Sequence, residues 1–306
     1  MHPPLSIAVV GAGLMGHGIA QVLAHAGHVV ALTDADPAVL ATARTRIARN
    51  LEELGVPAAP VLERVRAEPT LAATVAGADV VIESVAEVVD LKQGLLADVA
   101  RMAPSHAILT SNTSVIPITR LGEHLDDDAR GRLIGTHWWN PPHLIPLVEV
   151  VRTVHTRQDV IDRTVGLLRE AGKVPVVVQR DVVGFVGNRL NQAMWREALA
   201  LIEAGVCDAE TIDTVVKSSF GLRLPVLGPM ENADLIGLEL TRNVHTILFP
   251  DLSDAKSASP LLDDAIARGD TGLTAGAGLR HWTPGDAEAV RRRLSAHLIA
   301  SVKPQE

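Results

Sequence analysis

Between Ser6 and Val178 the chain alternates short β-branched runs with stretches of helical periodicity. The order is SIAVV, a helix from Met15 to His25, HVVALTD, a helix from Pro37 to Leu54, ADVVIESV, a helix around Leu91 to Ala100, HAILTSN, RLIGTHW, PLVEVVR, a helix from Val160 to Ala171, and KVPVVV. Strand and helix alternating at this spacing predict a mostly parallel sheet covered on both faces, a doubly wound α/β domain. From Gly184 the strand signal stops. FVGNRLNQAMWREALALIEAG carries apolar residues at helical spacing and closes at Gly205, and DAETIDTVVKSSFG opens on an Asp208 N-cap and closes at Gly221. Further helices are expected over Glu231 to Thr246, over Pro260 to Ala267, and from Asp286 after the Thr283-Pro284 start signal. The expected organisation is an α/β domain over residues 1–183 followed by an all-helical domain over 184–306.

A formal net charge of -8 argues against nucleic acid or an anionic membrane surface as a partner, since both reward clustered Lys and Arg. A small-molecule substrate is the expectation that remains. No apolar run approaches the ~18 residues of a membrane-spanning helix, and MHPPLSIAVVGAG lacks a basic n-region and a small-residue cleavage site, so a cytoplasmic protein is expected. The single Cys207 can supply neither an intramolecular disulfide nor a cysteine metal cluster, and no metal is expected. The chain has no tyrosine. Proton chemistry here must use another side chain.

Gly11-Ala-Gly13-Leu14-Met15-Gly16 follows the strand SIAVV and opens a helix. Glycines there permit a tight turn and let backbone amides approach a pyrophosphate at the helix N-terminus. A GxGxxG alone is weak, but the second strand ends at Asp34, about twenty residues on, where a carboxylate accepts hydrogen bonds from an adenosine ribose. The domain is therefore expected to be Rossmann-like. The Asp34 charge would repel a 2′-phosphate and no arginine follows it immediately, which favours NAD over NADP.

In GTHWWNPPHLIPLVEVV a histidine, His137, comes at the C-terminal end of one apolar strand, and a lone acid, Glu149, lies inside the next. A buried carboxylate needs a partner. The Asn140-Pro-Pro turn can fold the second strand back, so that Glu149 holds one imidazole nitrogen of His137 and leaves the other for proton transfer. Each residue taken singly also reads as structural.

With GAGLMG, VIESVAE, SNTS at Ser111 to Ser114, HWWNPP with VEV behind it, and DVVGFVGNR, the chain resembles the L-3-hydroxyacyl-CoA dehydrogenase family over nearly its whole length. The resemblance implies His137 as general base and Glu149 as its partner. It also places Ser114 and Asn188 where the family hydrogen-bonds the reacting substrate oxygen. Glu87 and Lys92, otherwise an ordinary helix-start acid and a surface lysine, match the acid and lysine near the nicotinamide half of the cofactor, and Asn112 is a further candidate there. The implied reaction is reversible NAD-dependent oxidation of a secondary alcohol β to a carbonyl or carboxyl group, by a homodimer with a helical dimerisation domain.

Several departures bear on the substrate. CoA-using members usually carry a lysine where this chain has Pro146, and the family's KTGxGFY pattern reads Thr274-Ala-Gly-Ala-Gly-Leu-Arg280 here. The helix after Asp34 lacks the usual lysine cluster, although Arg44, Arg46 and Arg49 stand in it. HWWNPPHLIPLVEV looks closest to the branch acting on free acids and alcohols, resembling gulonate, carnitine and pyridine-carboxylate dehydrogenases. The expected substrate is thus a compact hydroxy acid or aryl alcohol held partly by Trp138 or Trp139, unless these two rings are core; the alternative is 3-hydroxybutyryl-CoA or a longer acyl-CoA. A β-hydroxyacid dehydrogenase would need a lysine in GFVGNRLNQ, which has none, and a non-catalytic, crystallin-like NAD-binding protein would keep Gly11, Gly13 and Asp34 while losing His137 or Glu149.

Overall fold

Short runs of Val, Ile and Ala such as Ser6–Val10 put apolar side chains on both faces of a strand, so both faces must be covered. The computed structural model, which describes residues 3–302, shows how. Among the described residues the strands are β1 Ser6–Val10, β2 Val29–Thr33, β3 Val65–Ala67, β4 Val80–Glu83, β5 Ile108–Ser111, β6 Leu133–Trp138, β7 Leu147–Val151 and β8 Val174–Val178. They form one sheet in the order β3-β2-β1-β4-β5-β6-β7-β8, whose direction of winding reverses between β1 and β4. Between the strands run α1 Gly16–His25, α2 Pro37–Leu54, α3 Ala58–Leu62, α4 Leu71–Val75, α5 Val89–Met102, α6 Ile118–Leu121, α7 Asp127–Arg132 and α8 Gln158–Glu170.

Alternate residues of β1 feed two cores. Ile7 and Val9 pack with Ile19 and Leu23 of α1, Ile47 and Leu51 of α2, and Val160 and Leu168 of α8. Ala8 and Val10 pack with Leu96 and Val99 of α5, Leu121 of α6 and Phe185. Burying each large aliphatic side chain contributes about 1.5–3 kcal/mol, and truncating Ile19, fully buried, to Ala would cost on the order of 2–5 kcal/mol. α2 has the bounds the sequence predicts. Asp36 accepts the Ala38 N–H at 2.8 Å, Pro37 takes the first helical position, and Gly55 ends the helix at φ 72°. The short α3, β3 and α4 were not anticipated, because elements of three to five residues carry no readable period.

β6 and β7 break the parallel pattern. The link from Trp139 to Pro146 is too short for a crossover, so the strands pair antiparallel with His137 opposite Glu149. Because side chains alternate, His137 and Glu149 share the face of the second core, while Trp138 and Val148 share the first. Lys173, buried at the start of β8, donates from Nζ to the Pro142 and Ile145 carbonyls at 2.5 and 2.9 Å and closes the link from beneath.

The described chain divides into two compact units, the sheet unit reaching Asn188 and taking back the residues from Ala296, and a second unit, Arg189–Ser295. The remaining helices are α9 Gly187–Glu203, α10 Ala209–Ser218, α11 Pro229–Ile236, α12 Leu238–Leu248, α13 Pro260–Arg268 and α14 Pro284–Val302, with a 3-10 turn at Phe220–Leu222. The single helix expected over Glu231 to Thr246 is two helices, because Gly237 takes φ 95° and stops the first. In the second unit the buried apolar residues among those described are Ala265 and Ala287, whereas Leu222, Val226, Met230, Leu235 and Ile247 are all at least 70% exposed. No described helix is long and apolar enough to cross a membrane.

Candidate active site

The glycine loop connects β1 to α1 against the end of β4. Gly11 has φ 101°, and a Cβ there would stand 2.3 Å from the Ser84 carbonyl oxygen; one at Gly16 would meet the Gly11 oxygen at 1.7 Å. At Gly13, by contrast, nothing lies within 4 Å of the Cβ position, so the loop faces open space at the start of α1. The first turn of α1 carries no acid to compete with an anion there. Leu14 is exposed beside this opening, and Met15 packs back against the first core. Asp34, just after β2, accepts the Ala12 N–H at 2.6 Å through Oδ2 and the Asp36 N–H at 2.9 Å through Oδ1, which fixes its carboxylate to the loop. An open glycine loop at a helix N-terminus beside a fixed carboxylate is a set of groups that fits a dinucleotide.

Two of the three arginines of α2 are committed to backbone carbonyls. Arg46 donates to the carbonyls of Ala12 and Val39 at 2.7 and 2.9 Å and to Gly13 at 3.2 Å, so it braces the glycine loop from below. Arg44 donates to the Leu62 and Val65 carbonyls, and Arg49 pairs with Glu53. Arg44 and Arg46 are thereby withdrawn from standing in for the missing lysines, and Arg49 stays on the surface.

Across β4 and β5 lies a buried ionic network. Lys92, 1% exposed, donates to Glu83 at 2.6 Å, to the Val85 carbonyl at 3.2 Å and reaches Glu87 at 3.3 Å. The alternative reading of Lys92 as a surface lysine is therefore excluded: it is buried against the buried Glu83 and reaches the partly exposed Glu87. Glu83, fully buried, also accepts from Ser111 Oγ at 2.5 Å. Glu87 accepts from Thr113 Oγ1 and from the Ser114 and Val115 N–H groups at 2.6, 2.8 and 3.2 Å, and so shapes the SNTS turn. Burial pushes its carboxyl up, but these hydrogen bonds and the Lys92 charge outweigh that and hold it below the ordinary glutamate range. Asn112 accepts the Trp138 N–H at 2.9 Å and ties the end of β5 to β6.

His137 and Glu149, 4% and 2% exposed, meet with Nδ1 and Oε2 2.8 Å apart. The carboxylate makes Nδ1 the donor and leaves Nε2 as the nitrogen that can accept a proton. Oε1 of Glu149 takes the N–H groups of Val186 and Gly187 at 2.9 and 3.1 Å. Burial pushes the Glu149 carboxyl up, yet the His137, Gly187 and Val186 hydrogen bonds and the imidazole charge bring it below its ordinary value. Asn188, in the first turn of α9, donates from Nδ2 to the Ser114 carbonyl at 2.9 Å, which joins the SNTS turn to the GFVGN segment.

The two tryptophans separate. Trp138, 2% exposed, points into the first core under Lys173 and is not available to a substrate. Trp139 is half-buried with its ring 5.2 Å from that of His137, in a space kept open by Gly187, where a Cβ would lie 2.5 Å from the indole. Glu83, Gly187 and Phe185 escaped the sequence reading. Glu83 gives the same signal as Glu149, an acid in an apolar strand.

Comparison with known proteins matches residues 6–182 to a family model described as 3-hydroxyacyl-CoA dehydrogenase, NAD binding domain, and residues 184–282 to 3-hydroxyacyl-CoA dehydrogenase, C-terminal domain. The chain is 36% identical over 300 residues to a 5-formyl-3-hydroxy-2-methylpyridine 4-carboxylate 5-dehydrogenase of Mesorhizobium japonicum, covering 96% of each chain. It is 35% identical over 280 residues to a probable 3-hydroxybutyryl-CoA dehydrogenase of Bacillus subtilis, covering 89% of this chain and 95% of that one. It is 37% identical over 236 residues to an L-carnitine dehydrogenase of Streptomyces griseus, covering 76% of this chain and 70% of that one. A crystal structure of a 5-formyl-3-hydroxy-2-methylpyridine 4-carboxylic acid 5-dehydrogenase, described as an NAD+ dependent dismutase, superposes with a TM-score of 0.89 at 34% identity, covering 98% of this chain and 97% of that one.

Proposed function

The chain belongs to the 3-hydroxyacyl-CoA dehydrogenase family and is an NAD-dependent dehydrogenase acting on a hydroxyl group, and on that premise we propose that it oxidises a compact non-CoA hydroxy acid or aryl alcohol with His137 as its base. The observation that carries this reading is the buried His137–Glu149 pair at 2.8 Å. NAD would be held by Gly11, Gly13, Leu14, Met15, Gly16 and Asp34, with Glu87 and Asn112 toward its nicotinamide half and the buried Lys92 acting behind Glu87 rather than on the cofactor, and when bound it would supply the acceptor for the hydride of the carbinol carbon. His137 takes the hydroxyl proton at Nε2, and Glu149 stabilises the imidazolium so formed. Ser114 and Asn188 orient the reacting oxygen. Lys92, saturated by two glutamates and a carbonyl, acts by fixing Glu87.

The leaning away from CoA rests on Pro146, on the absence of a lysine cluster in α2 and on the commitment of Arg44 and Arg46 to backbone carbonyls. A multiply phosphorylated ligand needs free charge-assisted donors. The pyridine-carboxylate relative, matched over 96% of both chains, supports the same leaning, with Trp139 as the aromatic wall beside His137. The Bacillus subtilis relative supports the alternative, a 3-hydroxybutyryl-CoA substrate. A screen of NAD reduction decides between them: pyridine alcohols, carnitine and free 3-hydroxy acids run alongside 3-hydroxyacyl-CoA thioesters. A kcat/KM for a thioester well above every free acid and alcohol would overturn the non-CoA reading.

The apolar side chains exposed on α11 and α12 call for a partner, and a second copy of this chain, giving a homodimer through residues 184–306, is the occupant we propose. A monomeric mass in sedimentation would refute it. A lone cysteine and a net charge of -8 fit a cytoplasmic enzyme without nucleic-acid partners.

A further inference from the structure

The segment Gly184-Phe185-Val186-Gly187 has a backbone found nowhere else among the described residues. Gly184 and Phe185 are consecutive left-handed residues, φ 74° and 51°, and Phe185 is the one described non-glycine residue with positive φ. A bulky side chain in this region is strained by roughly 1–2 kcal/mol, and such strain persists only where the surroundings over-determine it. What surrounds Phe185 is specific: its ring is fully buried and lies 5.6 Å from the His137 ring. The Gly184 N–H is held by the Val115 carbonyl at 3.3 Å and the Phe185 N–H by the Val182 carbonyl at 3.1 Å.

The consequence of the left-handed pair is that the next two amides turn the same way. Both N–H groups, of Val186 and Gly187, converge on the one Glu149 oxygen that does not face His137. Successive amides arranged like this make a concave anion site. Resting on the dyad reading above, we propose that the Gly184–Phe185 turn is an amide cradle for Glu149, in which the left-handed backbone at Phe185 positions the carboxylate toward His137. Around that carboxylate, β6 contributes the titratable His137, β8 presents Val176 in register, and the cradle itself carries no ionisable side chain.

The test separates backbone from ring. In Phe185→Val, a β-branched residue resists φ above zero and the two amides lose their aim. With fewer donors on Oε1 the dyad holds its proton more tightly. The acidic limb of kcat/KM should then move up by about half a pH unit and kcat should fall about tenfold, with KM for NAD unchanged. Phe185→Gly keeps the left-handed turn while deleting the ring, and should leave the acidic limb where it is. If Phe185→Val does not yield folded protein, judged by NAD binding, Gly184→Ala carries the same test at a smaller backbone penalty. Wild-type kcat and acidic limb in the folded Val or Ala variant would overturn the proposal, as would an equal shift of the limb in Phe185→Gly. A failure of the dyad reading is distinguishable, since it shows as activity retained in His137→Gln whatever Phe185 does.

Discussion

Replacing Glu149 by glutamine is nearly isosteric, and the structure dictates what it does. The new amide can place its oxygen toward Val186 and Gly187 or toward His137. In the second orientation its NH2 group meets two N–H donors, and each buried donor left unpaired costs about 1–3 kcal/mol. The first orientation wins. Its NH2 then faces His137 Nδ1, which must become an acceptor, and the imidazole proton moves to Nε2, the nitrogen that has to be bare to accept the substrate's proton. The loss is therefore of the base itself as well as of the charge that stabilises the imidazolium. Turnover should fall by at least about a hundredfold and by as much as on the order of 10⁴. NADH formation under saturating NAD reads kcat, and calorimetric titration of NAD checks that cofactor affinity hardly changes. His137→Gln should lose a similar factor, and the double variant should be little worse than His137→Gln alone. Additive losses would give Glu149 a separate role, and near-wild-type turnover in Glu149→Gln would refute the tautomer reasoning outright.

With the Asp34 carboxylate fixed to the glycine loop, NAD should be preferred over NADP by a large factor in kcat/KM, and comparable use of both in steady state would remove Asp34 from the cofactor site. Lys92→Met leaves the buried Glu83 without its counter-ion and should cost about 3–5 kcal/mol in denaturant unfolding; a loss under ~1 kcal/mol would show that the network is hydrated. Burial holds the Lys173 ammonium down to about 8. The unfolded chain keeps that proton to about pH 10.4, so in the window between these values the unfolded state binds more protons and the folded state gains stability as pH rises. Urea midpoints across the window should rise for the wild type relative to Lys173→Met, and parallel curves would contradict the assignment. Glu87 and Glu149, both held below the ordinary glutamate range, stabilise the fold above about pH 4.3 and cease to do so as pH falls through their lowered values. Acid unfolding should therefore be less steep in Glu87→Gln than in the wild type, and equal slopes would argue against that contribution.

The sheet was legible because its strands are β-branched runs with helices of ten or more residues between them, and α2 could be bounded from Asp36, Pro37 and Gly55. The three-to-five-residue elements between Ala58 and Val75 were not, since one turn of helix has no face to repeat. Of the site, the pairing of His137 with Glu149 was legible from the cost of an acid in a valine strand, and the cross-strand register realises it. For Lys92 the sequence left a surface lysine open beside the match to the family's cofactor lysine, because its neighbours are those of an exposed helix start; only the third dimension brings Glu83 over it. The left-handed Phe185 leaves no trace in composition or period, because backbone conformation at a non-glycine residue is set by what closes around it.

The antiparallel turn of β7 onto β6 also bears on which parts of such a chain are free to change. The facing of His137 and Glu149 is set by strand register and not by the loop that joins the strands. One residue inserted inside β7 would rotate Glu149 to the Trp138 face. Substitutions at the half-buried and exposed positions between Asn140 and Pro146 leave the pairing untouched, whereas Pro142 and Leu144 are buried. Lys173 grips that loop through the carbonyl oxygens of Pro142 and Ile145, which every amino acid supplies, so it tolerates a change of side chains above it. A library diversified at Asn140, His143, Ile145 and Pro146 should thus redraw the loop's own surface beside α1 while passing the His137–Glu149 pairing on unchanged, so that in descent this loop can change its neighbours without changing the pair.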